Sequence, residues 1–212
     1  MKITLKILPY ILTTIIVIVV WKIFTLTDNY AWNPKGKEVL ALDIALYFIF
    51  ITKVIFWIIT ANIFVFSIQN LLKKNHKIGL TFLLIGLLTY FFGEKWTDKK
   101  VAMNYYTVFL KQSVSEEYIE EPILDAGYEI GKYLAEDISD KHMKYRRYAI
   151  EGIGKIKYDK ANEVLEKILF DPSENEIIKN DVLEALEKIG NDDAKRIISN
   201  FRFETNNFNY RK

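Results

Sequence analysis

The sequence predicts an all-α chain in which three transmembrane helices are followed by a small α-solenoid of helical pairs. Three observations point there. Up to Phe92 the chain is dominated by three long apolar stretches separated by short lysine-bearing loops, and about 20 apolar residues suffice to cross a bilayer as a helix. From Gly93 onward it is charged, with apolar positions recurring at three to four residues, the period of a half-buried helix. Within that second part a segment recurs at an offset of 33 residues, which is the mark of a repeat architecture. The mean hydropathy of +0.04 averages a lipid-like part with a polar one. The expected organisation is a three-span membrane domain over 1–96, an amphipathic linker helix over 97–115, a helical repeat domain over 116–203 and a flexible tail over 204–212.

Charge divides at the same place. Nine lysines face three acids up to Phe92, leaving 20 basic and 24 acidic residues for the remainder. A mildly acidic head does not suit the phosphate backbone of nucleic acid. The absence of cysteine excludes disulfides, thiolate catalysis and cysteine-based metal sites. The only histidines, His76 and His142, are too far apart for a ligand pair, so no metal and no cofactor are expected.

The first apolar stretch, 7–24, is interrupted by Pro9, Thr13, Thr14 and Lys22. Lys2 and Lys6 precede it as in a secretory signal, but no small-x-small cleavage site follows, so an uncleaved anchor is expected. Trp21 and Lys22 suit its interfacial end. The second, about 40–70, has neither Gly nor Pro; the whole run to Leu72 makes a helix of roughly 50 Å, longer than the ~30 Å hydrocarbon layer. It carries Asp43 and Lys53, which lie on different faces and cannot pair within one helix. Asp43 suits the headgroup boundary. For Lys53, a costly amine in lipid, two accounts compete. In one its stem snorkels to the surface with the Trp57 ring one turn on as a cation–π partner. In the other it makes an intramembrane polar contact with another span or subunit, alongside Thr52, Thr60, Asn62, Ser67 and Gln69 as interhelical hydrogen-bonding groups. The third stretch, 78–96, ends in the aromatic belt of Tyr90, Phe91, Phe92 and Trp96, and the basic turn Lys73–Lys77 joins it to the second as a hairpin. Lysines counted on the two sides, five against six, do not decide the orientation.

In the water-facing part, 99–111 reads as a tyrosine-rich amphipathic helix, and 112–115 as a polar break. Glu120, Glu121 and Pro122 suit a helix start, with Ile123, Leu124, Tyr128, Ile130, Tyr133 and Leu134 on its buried face. Next, 149–161 aligns with 182–194, with identical residues at 151/184, 155/188, 156/189, 159/192 and 161/194. Each copy reads as helix, tight turn, helix, with Asp159 or Asp192 as N-cap of the second helix. Gly152, Gly154 and Ala185 are small enough for close helix approach.

The segments Arg147-Tyr-Ala-Ile-Glu-Gly-Ile-Gly-Lys-Ile, Asp159-Lys-Ala-Asn-Glu-Val-Leu-Glu-Lys-Ile-Leu-Phe-Asp-Pro172 and Asn180-Asp-Val-Leu-Glu-Ala-Leu-Glu-Lys-Ile-Gly190 resemble the HEAT-repeat family, in particular its short bacterial HEAT-like units. The resemblance covers about 144–201 well and 116–141 loosely. It implies stacked helical pairs that bind proteins and seldom catalyse. It also favours a cytoplasmic head on a protein of the inner or plasma membrane, whereas the basic N-terminus and hairpin turn favour the opposite orientation.

Lys141, Lys144, Arg146 and Arg147, the densest basic cluster of the head, are the candidate partner-binding residues, for an acidic protein or anionic headgroups. Glu116, Glu117, Glu120, Glu121 and Asp125 suit helix-start acids better than calcium or acid–base chemistry. Gly152-Ile-Gly154 lies in a helix pattern and not after a strand, so it is no nucleotide loop. The expected function is a membrane-anchored non-enzymatic scaffold binding a protein partner at the bilayer. The alternative is an accessory or immunity-type membrane subunit acting through its spans, with Lys53 as key contact. A membrane enzyme ranks third, since converging catalytic groups are lacking in the spans.

Overall fold

The structure, a computed structural model, describes residues 2–25, 37–111 and 120–209. Every regular element among them is helical: α1 Lys2–Thr25, α2 Lys37–Leu72, α3 His76–Lys111, α4 Glu121–Ala126, α5 Gly131–Asp137, α6 Arg146–Lys155, α7 Asn162–Leu169, α8 Glu176–Ile189 and α9 Asp192–Asn209, with 3₁₀ turns at Gly127–Ile130 and Asp159–Ala161. The chain forms two compact units, Met1–Asn104 and Tyr105–Lys212. The polar break at 112–115, Glu116, Glu117 and the tail beyond 209 lie outside the described residues.

Three segments, the third of which starts in the first unit and ends in the second, are long and apolar enough to cross a membrane: Lys6–Ile23, Leu40–Leu72 and His76–Lys111. The α2–α3 hairpin is turned by Lys74 in the left-handed conformation, φ 62°. There Lys74 N–H donates to the Leu71 carbonyl at 2.9 Å and Asn75 N–H to the Asn70 carbonyl at 2.9 Å. This pair of bonds satisfies carbonyls left over at the helix end, as in a Schellman cap, with lysine where glycine is usual. The helices then run antiparallel, with Phe66 against Phe82 and Trp57 against Tyr90. Gly79, Gly86 and Gly93, seven residues apart on α3, meet Leu71, Phe64 and Phe56; a Cβ at these glycines would stand 2.6, 3.1 and 2.5 Å from those side chains. A glycine seam of this kind lets two helices approach without polar glue. Ser67 adds a hydrogen bond to the Gly79 carbonyl at 2.7 Å. On another face of α2, Tyr10 donates to Gln69 at 3.1 Å and Asn62 to Thr14 at 3.2 Å, which fixes α1 antiparallel to α2.

One boundary differs from expectation. The amphipathic stretch after residue 96 is not a separate linker helix: α3 continues unbroken to Lys111. Hydropathy changes near Gly93, but no proline or cap chemistry interrupts the backbone there, and helices end on backbone signals rather than on polarity.

The second unit shows the converse. A single helix expected over Glu121–Leu134 is broken into α4 and α5 by Gly127, whose φ is 60°. The two aligned segments fold alike. Lys157 and Gly190, related by the 33-residue offset, both terminate a helix in the left-handed conformation, with φ of 52° and 68°. Lys157 N–H donates to the Gly154 carbonyl and Tyr158 N–H to the Ile153 carbonyl, each at 3.1 Å, while Gly190 N–H donates to the Leu186 carbonyl at 3.0 Å. The caps that follow differ from the expected ones. Asp159 makes no side-chain cap, because its carboxylate accepts the Tyr128 hydroxyl at 2.5 Å. In the second copy Asn191, not Asp192, holds the helix start, accepting Ala194 N–H at 2.9 Å. We expect Asn191→Ala to cost about 1 kcal/mol, the usual value of an N-cap, read as a lower unfolding midpoint of the full chain in micelles.

The expected close approach is present. Gly154 on α6 faces Ala185 on α8, and a Cβ there would lie 2.7 Å from the Ala185 Cα. Backbone cannot yield as a side chain can. Gly154→Val is expected to cost about 2–3 kcal/mol by overpacking and to accelerate hydrogen exchange in α6 and α8. Exchange unchanged from the parent would refute tight α6–α8 packing. Finally, α9 runs to Asn209, so the helix continues past the expected start of the tail at 204.

Candidate functional site

Lys53 lies on the face of α2 that carries Leu42, Ala45 and Ile49, and only 8% of it is exposed. Its Nζ donates to Asp98 of α3, forming an ion pair. Asp98 was not singled out by sequence because charged residues crowd it: Glu94, Lys95, Lys99 and Lys100. Only the antiparallel register puts position 98 opposite position 53. The Trp57 ring packs on Phe56 and Tyr90, and the Lys53 amine is bonded to Asp98. Asp43 is exposed, ten residues away from this pair.

Counting back from Lys53 to the Lys73–Lys74 turn gives 20 residues, about 30 Å of helix, which matches a hydrocarbon layer. A slab of that thickness laid from the turn would end at the level of the pair; nearby in sequence, Lys100 lies 5.5 Å over the Trp96 ring. Of the polar groups expected between spans, Asn62, Ser67 and Gln69 make interhelical bonds. The buried Thr60 hydroxyl and the Asn62 carbonyl oxygen have no hydrogen-bond partner among the described residues.

Of the basic cluster of the second unit only Arg146 is buried; Lys141, Lys144 and Arg147 stay exposed. Arg146 is 7% exposed; its Nε donates to the Ile138 carbonyl at 2.6 Å and its guanidinium to Glu174 at 2.8 Å. Arg147 makes a two-pronged bond to Asp181 at 2.6 and 3.0 Å. Lys141 pairs with Asp171 at 2.7 Å and donates to Ser173 at 2.8 Å, and Lys144 lies 4.7 Å over the Tyr145 ring. Three of the four residues expected to bind a partner thus hold the unit's own acids.

These links share a period. The partners are separated by 28 residues for Arg146, 34 for Arg147, 32 for Lys141 with Ser173, 31 for Tyr128 with Asp159, 35 for Lys155 with Glu120 and 29 for Asn162 with Asn191. Each joins two positions whose separation is close to the 33-residue offset of the aligned segments. Their electrostatic consequences follow. The Tyr128 phenol is pushed up to about 12 by its bond to Asp159. Lys141 and Ser173 hold the Asp171 carboxyl below its ordinary range, and Arg146 does the same for Glu174. Both carboxyls bind protons more weakly folded than unfolded, where the ordinary value is about 4. Their stabilisation is complete above that value and is lost as pH falls through the lower folded values. We expect exchange protection of α6 and α8 to decline below about pH 4, and the decline to weaken in Lys141→Ala.

On another face, α7 and α9 line a groove of about 480 Å³ bordered by Glu163, Glu166, Lys167, Phe170, Asn200, Phe203 and Glu204, with Lys167 paired to Glu163. Phe203 is 69% exposed. Among the described residues no group of three or more His, Asp or Glu side chains is placed to hold a metal ion.

No family model, no curated protein and no solved structure matches this chain.

Proposed function

We propose that this chain is a membrane-anchored, non-enzymatic interaction protein. Its three apolar helices fix it in the bilayer, and its C-terminal unit is a short solenoid of HEAT-like pairs that binds a protein partner there. The observation that carries this reading is the 28–35-residue spacing of the polar links in the second unit, which is how a one-dimensional stack of repeats joins neighbour to neighbour. Such stacks offer helix surfaces rather than enclosed sites. We assign the contact surface to the α7–α9 groove, since Arg146, Arg147 and Lys141 are engaged within the unit. The groove combines carboxylates with the exposed ring of Phe203, an aromatic anchor of the kind that dominates binding surfaces.

The test is crosslinked recovery from membranes with the full chain, with Phe203→Ala plus Glu166→Lys, and with a chain stopped after Asn104. Proteins recovered with the full chain and lost in both variants support the reading. Recovery retained by the truncated chain overturns it in favour of the accessory-subunit alternative acting through the spans. That alternative takes Lys53 as its key contact, with another span or a partner subunit, and Lys53 is paired with Asp98 within the chain.

A further inference from the structure

The N-terminal half of α2 carries an apolar stripe that no other described residue covers fully. Leu40, Ile44, Tyr47 and Phe48 are 66, 58, 65 and 49% exposed, while Leu42, Ala45 and Ile49 on the opposite face are buried. Position decides what this means. The Lys53–Asp98 pair, with Lys95, Lys99 and Lys100 nearby, marks the boundary of the apolar slab. At about 1.5 Å per residue the stripe stands roughly 7–20 Å beyond that boundary, in water rather than lipid. Large apolar side chains aligned in water demand a cover.

The stripe also continues an existing interface. Asn62 and Gln69, which bond to α1, lie 18 residues, about five full turns, beyond Ile44 and Ile51. They share one face of α2, docked by α1 around Asn62 and Gln69 and, among the described residues, exposed at Leu40, Ile44 and Tyr47. Along the open part, Leu40, Ile44, Tyr47 and Ile51 are spaced four, three and four, the a/d spacing of a two-helix seam. Ile44 and Ile51 occupy one heptad position, where, in a parallel coiled coil, β-branched residues favour two strands. Two copies anchored in one bilayer can meet only in the same orientation, and a two-fold axis along the membrane normal lays this stripe parallel against itself.

We propose that the stripe Leu40–Ile51 is a homodimer seam, joining α2 to the α2 of a second copy just outside the hydrocarbon. The proposal rests on the membrane-anchored reading. Because the chain has no cysteine, single cysteines report contacts on a clean background. The full-length variants Ile44→Cys, Tyr47→Cys and, on the exposed surface of α3, Leu84→Cys are oxidised in native membranes, with two differently tagged copies co-expressed. Alkali-resistant pelleting checks the anchor independently, so a failed anchor is told apart from a failed seam.

The expected result is a disulfide-linked dimer containing both tags at positions 44 and 47, at least about tenfold weaker at position 84. Ile44→Glu in the Tyr47→Cys background should lower that yield about tenfold, since it buries unpaired carboxylates at the seam. The proposal is overturned if the pelleted protein gives no mixed-tag dimer at 44 or 47. It is equally overturned if a heterobifunctional crosslinker at these positions captures only a different protein or only the chain's own residues.

Discussion

Arg146→Met is expected to destabilise the C-terminal unit by about 3–5 kcal/mol, the cost of breaking a buried ion pair from one side. The side chain of Glu174 is 5% exposed, so the substitution leaves a buried carboxylate with only the Asn175 N–H and the charge of Lys141 to offset it. It also strips the donor from the Ile138 carbonyl. Arg146→Lys is expected to recover only part of the loss, because a single amine cannot reproduce a planar fork that reaches two acceptors. The double variant Arg146→Met with Glu174→Leu removes both charges and should return to within about 1–2 kcal/mol of the parent. Unfolding of the full chain in micelles, followed by hydrogen exchange over α6 and α8, reads all three. If the single and double variants lose the same stability, the pair is not what holds these helices. The pH dependence gives a second handle. Since Arg146 keeps the Glu174 carboxyl below its ordinary range, the double variant should also lose part of the acid sensitivity.

The same arginine shows how far sequence reading reached. The 33-residue repeat was legible, because its apolar stripes and the small residues Gly154 and Ala185 are local patterns. The left-handed helix ends were hidden at Lys157 and Lys74, where lysine takes a conformation that glycine normally advertises. The basic cluster was legible as a cluster but not as a set of bonds. Four cations in seven residues look like a surface until the α7–α8 connection supplies Asp171 and Glu174 and α8 supplies Asp181, about 30 residues further along the chain. Among the membrane-length helices, hydropathy located the three segments, yet it could not fix the register between them. That register comes from the turn at Lys74 and the glycine seam at 79, 86 and 93. With it comes the identity of the partner of Lys53.

Asp98→Ala is expected to cost about 3 kcal/mol, toward the low end for a broken buried pair because Asp98 is itself 28% exposed. The asymmetry between the partners is the informative part. Removing Asp98 strands an amine of which only 10% of the side chain is exposed, where water can reach it little. Removing Lys53 strands a carboxylate that water reaches more easily, so Lys53→Leu should cost less than Asp98→Ala. The double variant Lys53→Leu with Asp98→Leu places two apolar side chains at the α2–α3 contact and should be close to neutral, or mildly stabilising. Detergent-titrated unfolding of the full chain, followed by tryptophan fluorescence from Trp57 and Trp96, separates the four states of this cycle. A coupling near zero would mean that Lys53 reaches solvent on its own, and would reinstate snorkelling. A strong coupling with a near-neutral double variant would make the pair a device for register. It would lock position 53 opposite position 98 where the helices leave the apolar slab, and so set how far α2 projects and which of its faces is left uncovered.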